Sequence, residues 1–357
     1  MEGELQGSKS SVGLAVGAMS VSALLVRPFV GRGIDARGRK PFLFGSLVLL
    51  ALSSLGYLLA DDVAVVVGLR LLQGLAGGTF YTTAAAVVTD LAPPERRASA
   101  IAKFSLFLYG GFAAGPALAE WIIRHHGFTP VWLTAAALGA TGALLVSVVP
   151  ESGDHAVAAR AELGPARRRP LHPAAVLPGL VLMTTGMGYA SVTGFSSLYA
   201  RHVGLESSGA LYAVFAVTVI GLRLVSGRLA DSVGRVQIAL PGLLLCAAGL
   251  GTLSLLQRPV TAYVGVASFG AGFALIFPAL MAFTVDRVPD HERGEALGSF
   301  TAFMDIGQGG GAYLIGAIAD RAGFGAAYAL PAVLCLGGAI LLRRGTRAPV
   351  AAPAASP

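Results

Sequence analysis

The stretch GRGIDARGRKP, residues 31–41, separates two apolar runs, and a weaker copy, GRLADSVGR, occupies 227–235 between two others. An ungapped comparison at an offset of 196 extends the match outward. It aligns Arg27 with Arg223, Gly31 with Gly227, Asp35 with Asp231, Gly38 with Gly234 and Arg39 with Arg235. Further along it aligns Gly74 with Gly270, Asp90 with Asp286, Gly111 with Gly307, Gly115 with Gly311 and Gly127 with Gly323. Shared composition alone does not place so many charges and glycines in register. The chain reads as a duplicated unit.

The rest of the chain is apolar almost throughout. Of its 357 residues, 55% are hydrophobic and 13% charged, and the mean hydropathy is +0.71. A soluble domain carries about 25% charged residues, so most of this chain must be hidden from water. The apolar runs are about 20 residues long, enough to cross a bilayer as helix. Barrel segments of outer-membrane type alternate and run only about 10 residues, which argues against that architecture. The 48 glycines would weaken helices in water. In a bilayer they let helix backbones approach closely.

We read spans at 11–30, 42–60, 63–88, 99–123, 128–149, 173–200, 207–227, 236–256, 260–285, 295–319 and 324–342. The domains that follow are a first bundle over 1–149, a polar connector over 150–172, a second bundle over 173–342 and a tail over 343–357. The fold class is an all-α polytopic membrane protein of two homologous bundles. The first bundle has five spans and the second six. The repeat therefore leads us to expect one further helix before residue 11, from a start upstream of Met1.

Of 26 Lys and Arg residues, 19 fall in or beside the loops near 31–41, 90–98, 150–172, 228–235 and 286–294 and the tail. By the positive-inside rule these loops and the C-terminus are cytoplasmic, in an inner-membrane protein. A cysteine introduced at Arg168 should then resist an impermeant thiol reagent added to intact cells. Labelling from outside would reverse the orientation. The net charge of +7 is spread over alternate loops and forms no basic face, so no nucleic-acid partner is expected. Cys246 and Cys335 fall inside spans as packing residues. No CxxC and no histidine cluster occurs, so neither metal nor other cofactor is expected.

In the repeated stretch, Gly31 is read as ending a helix and Gly38 as permitting a tight turn. Asp35 can accept hydrogen bonds from a neighbouring helix N-terminus or pair with a base. Arg39 and Lys40 are read as anchoring the loop at the anionic membrane face. Gly227, Asp231, Gly234 and Arg235 repeat the pattern.

Gly31, Asp35, Gly38, Arg39 and Lys40 resemble the signature loop of the major facilitator superfamily, between its second and third helices. Arg70, Gln73 and Gly74, in RLLQG, resemble the signature of its fourth helix. Gly111, Gly115 and Pro116, in GFAAGP, resemble the fifth-helix motif of its proton-coupled exporters, although Ala119 stands where that motif continues to glycine. The resemblance covers residues 2–342. It implies a two-bundle transporter, with Asp35 in a cytoplasmic charge network. It implies Arg70 near the proton-coupling region, and Gly111, Gly115 and Pro116 shaping the packing between halves. It also implies proton-coupled efflux of a small molecule by a monomer, with proton-coupled uptake of a sugar or other small metabolite, or a truncated non-functional transporter, as the alternatives.

Asp305, in FTAFMDIGQGG, lies about ten residues inside its span, or about 15 Å along a helix. A carboxylate at that depth is costly unless it faces a cavity or a partner. It is either a proton-titrating group or a polar contact for substrate or structure. Gln308 shares its face. Tyr109 occupies the matching position in the first half. Thr185, Tyr189 and Thr193 follow one another at helical spacing, and line a polar cavity or bond between helices. Arg27 and Arg223 read as structural residues near the cytoplasmic helix ends.

Repeats of this kind are common in secondary transporters, where one half rocks against the other. A membrane enzyme would need clustered acids and histidines at one face, and the six histidines are scattered. No GxxxxGK[ST] stretch occurs, which excludes an ATP-binding loop of that type within the chain.

Overall fold

The computed structural model describes residues 9–93, 97–152, 171–288 and 293–346. The connector and the tail fall largely outside them. The first bundle comprises α1 (Lys9–Arg37), α2 (Lys40–Gly56), α3 (Val63–Leu91), α4 (Arg97–His126) and α5 (Thr129–Ser147). The second comprises α6 (Pro173–His202), α7 (Gly209–Val233), α8 (Arg235–Leu255) and α9 (Pro259–Val285). A last helical stretch, Arg293–Gly345, breaks at Gly323, where φ is 77°. We label its arms α10 (293–322) and α11 (324–345).

Among the described residues, eight helices are long and apolar enough to cross a membrane, with the two arms at Gly323 counted as one. α4 and α7 pack on each other across the seam between the bundles.

Local chemistry explains the helix boundaries. Pro occupies the first turn of α2, α5, α6 and α9, where its missing N–H costs no hydrogen bond. Asp62 caps α3, accepting from Val65 N at 2.8 Å. Gly38 and Gly234 take φ of 86° and 106°, and Gly127 and Gly323 take 80° and 77°. These are two matched pairs of the repeat, and each pair makes the same turn in both halves.

The repeated stretch itself corrects our reading. Gly31 does not end a helix. α1 continues through Arg37 and α7 through Val233, so the breaks fall at Gly38 and Gly234. The helices outlast their apolar parts because nothing before those glycines stops them. Nor does Arg39 reach for a membrane surface. It is 5% exposed, with Nε 3.1 Å from Asp90 Oδ2 and Nη1 donating to Ile34 O at 2.7 Å.

The two halves pack differently. In the second, one continuous apolar core joins α6 to α11, around large buried side chains such as Phe195, Tyr199, Phe269 and Tyr328. In the first, the core divides into two small clusters, one around Leu43, Ala84 and Val146 and the other around Ala15, Tyr57 and Val66. The halves meet along two matched seams, α1 against α10 and α4 against α7.

Candidate functional site

The α1–α10 seam carries a buried ion pair. Arg27 Nε lies 2.7 Å from Asp305 Oδ2, and Arg27 Nη2 donates to Asp305 Oδ1 at 3.3 Å. Asp305 is 8% exposed. The partners belong to opposite halves, 278 residues apart in the chain. Arg27 lies well inside α1, not at its end, and is the partner that our reading of the sequence missed. An isolated carboxylate is costly at membrane depth, and pairing offsets that cost.

The aromatic ring of Tyr81, on α3, lies 5.7 Å from the Arg27 guanidinium. Arg223 lies 5.6 Å from the Phe277 ring. Tyr81 and Phe277 are themselves a matched pair of the repeat. Each half thus holds an arginine over an aromatic face, a favourable arrangement for a cation. The symmetry fails at the acid, since Asp305 is matched by Tyr109. The repeat held this signal, because arginine and aromatic recur together at the same offset.

The other candidate residues fall into separate groups. Gln308 is half-buried one turn along α10 from Asp305. Arg70 belongs to a cluster of its own. Its Nη1 donates to Gln73 Oε1 at 3.1 Å, and the Tyr57 hydroxyl donates to the same oxygen at 3.1 Å. Tyr57 in turn stacks on Trp132, with ring centroids 4.1 Å apart. Gly74 lets α3 press against the Met19 backbone and the Ser22 side chain of α1.

Thr185 is fully buried, and its hydroxyl donates to Leu182 O at 2.8 Å. Tyr189 stacks in the apolar core on Phe273 at 5.1 Å. The Thr193 hydroxyl donates to Tyr189 O at 2.8 Å, while Tyr212 donates to the Thr193 carbonyl at 2.9 Å. In this conformation the stripe packs, with its threonine hydroxyls bonded to its own helix.

At the Gly38 turn a further residue enters that the sequence did not flag. Glu151 accepts from Arg39 N at 2.7 Å and Lys40 N at 3.0 Å, and so caps α2. Lys40 Nζ donates to Ser147 O at 2.6 Å. In the second half Arg235 Nε lies 3.4 Å from Asp286 Oδ2, matching the Arg39–Asp90 pair. The side chains of Asp35, Tyr109 and Asp231, with Gly31 and Gly227, lie outside the described residues.

The matched glycines of α4 and α10 differ in use. Gly311 presses on Met187 and Gly307 on the Met183 backbone, so both hold α6 close. At Gly111 and Gly115 nothing among the described residues stands within 4 Å of where a Cβ would be. Pro116 follows within α4.

This architecture recurs in known proteins. The xylose transporter XylE from E. coli, in a partially occluded inward open conformation, superposes with a TM-score of 0.75 at 17% identity, over 94% of this chain and 88% of that one. The nucleoside transporter NupG gives 0.74 at 12% identity, over 97% and 92%. The human organic anion transporter MFSD10 (TETRAN) gives 0.71 at 20%, over 92% and 83%. Among curated sequences, the uncharacterized MFS-type transporter STM4428 of Salmonella typhimurium is 26% identical over 341 residues, covering 93% of this chain and 86% of its own. The uncharacterized MFS-type transporter YhhS of Escherichia coli is 28% identical over 328 residues, covering 87% and 77%. The profile of the Major Facilitator Superfamily matches residues 1–312 and again 263–357. Since those two matches span the chain from end to end, it belongs to the Major Facilitator Superfamily, a family of membrane transporters and not of enzymes.

Proposed function

We propose that the chain is a proton-coupled carrier that takes up a small polar solute across the inner membrane, with Asp305 as the group that binds and releases the proton. Family membership carries secondary active transport by alternating access. The observation that supports the coupling step is the ion pair across the seam. A proton arriving on Asp305 removes its charge and releases Arg27. The two residues ride on different halves, so the charge state and the relative position of the halves bias one another.

In this reading Gln308 and Tyr109 flank the solute path near Asp305. Thr185, Tyr189 and Thr193 join it when α6 moves against α10. Arg70 holds the wall of the first bundle through Gln73 and Tyr57. The turns at Gly38 and Gly234 face the cytoplasm with the C-terminus.

Uptake is favoured because xylose and nucleoside transporters are among the structures that share the fold. Efflux is the second reading. Gly111, Gly115 and Pro116 favour it, and Ala119 departs from it.

Reconstitution tests both. In right-side-out vesicles with an inward proton gradient, a panel of pentoses, nucleosides and organic anions should show one class accumulating, and a protonophore should abolish the accumulation. Accumulation only in inverted vesicles would establish efflux. Solute movement indifferent to the gradient would overturn proton coupling.

A further inference from the structure

The end of the seams away from the Gly38 and Gly234 turns is fastened by a different chemistry. The described part of α1 starts there, and the amides of Lys9 and Ser10 take an acceptor outside the helix. Asp320, near the end of α10, supplies one. It accepts from Lys9 N at 3.0 Å and Ser10 N at 2.7 Å, and also from the Ser10 hydroxyl. Lys9 Nζ donates to Ala319 O at 3.2 Å and lies 4.9 Å from the Phe324 ring. A carboxylate of the second half thus clasps backbone amides of α1 in the first.

The other seam does the same in reverse. Glu120, near the end of α4, accepts from Ser208 N at 3.2 Å and Ser208 Oγ at 3.1 Å, where α7 begins. Arg124 donates to Glu120 Oε1 at 3.0 Å and to the Glu206 carbonyl. In the repeat Arg124 matches Asp320, and Glu206 matches Ser10. Matched positions therefore touch matched positions. The chemistry is inverted, with a carboxylate on N–H groups in one seam and a guanidinium on a carbonyl in the other. Glu120, one turn away, restores an acid at the second helix start. A negative charge at that start is favoured both by the free amides and by the helix dipole.

At the opposite end the matched pairs Arg39–Asp90 and Arg235–Asp286 each close within one half. They do not join the halves. We propose that Asp320 and Glu120 are paired latches that hold the distal end of the bundle shut, and that both must let go before that end opens. This rests on alternating access and not on the solute or the coupling ion, so it can fail or stand apart from the uptake reading.

Spin labels at Thr129→Cys and Val260→Cys report the distance across that end, because α5 and α9 begin there in opposite halves. The native cysteines are buried and stay unlabelled. The expected result for Glu120→Gln with Asp320→Asn is a long-distance population raised on the order of tenfold. Each single variant should raise it about threefold. Glu120→Asp with Asp320→Glu retains the carboxylates and should keep the short distance, which a merely structural role would not ensure. An unchanged distribution in the double variant overturns the proposal. If the double variant is not monodisperse, unchanged distances in both single variants overturn it equally.

Discussion

Asp305→Asn is expected to leave solute exchange intact in proteoliposomes while lowering proton-driven accumulation by between about 5-fold and 150-fold, the usual span of a coupling free energy. Asparagine keeps the size of the side chain and can still accept from Arg27 Nη2. It cannot take up a proton, so the step that links the two halves to the gradient is lost. Normal accumulation in the variant would remove Asp305 from the coupling role.

The same pair predicts a stability pattern. Removing one partner of a buried ion pair costs about 3–5 kcal/mol, because the other charge is left desolvated. Arg27→Gln and Asp305→Asn should each lower the unfolding midpoint in detergent, with Asp305→Asn leaving the unpaired cation. The double variant should recover part of the loss, with a coupling energy between about 0.5 and 3 kcal/mol. Strict additivity would mean that the two side chains are near each other without interacting.

The second large effect concerns glycines that the repeat treats as equivalent. Gly307→Leu should destabilise the chain by about 1–3 kcal/mol or more, since overpacking forces neighbours apart. Here the new side chain would strike the Met183 backbone and push α6 from α10. Gly111→Leu, at the matched position, should stay within about 0.5 kcal/mol, because it enters open space among the described residues. Thermal unfolding in detergent compares the two. Equal losses would show that Gly111 is also packed in the protein as it folds in a membrane.

The first pairing shows where sequence reading stops. Asp305 stood out because a carboxylate so deep in an apolar run demands an explanation. Arg27 did not, because counting residues put it near a helix end. α1 in fact runs on to Arg37, through a stretch whose charges and glycines read as loop. The helix continues because only Gly38, with its positive φ, breaks it. Arg70 is a second case. The resemblance gave it a place near the coupling region, and the structure adds the partner that holds it, Gln73, three residues along its own helix. Thr185 and Tyr189 share a face whose periodicity does not distinguish a cavity wall from a packing surface.

By itself the sequence determined that the chain is helical, polytopic and duplicated. Lipid offers no partner for a backbone N–H or C=O, so apolar runs of that length must satisfy themselves as helices. An ungapped repeat needs no structure to be seen, and it located the Gly38 and Gly234 turns and the charges beside them. Only the tertiary structure decided which half touches which. It placed Arg27 on Asp305, and Asp320 and Glu120 on backbone amides of the opposite half. Hydropathy records how far each helix is hidden from water. It does not record against which partner the helix is hidden, and that depends on how two completed bundles dock.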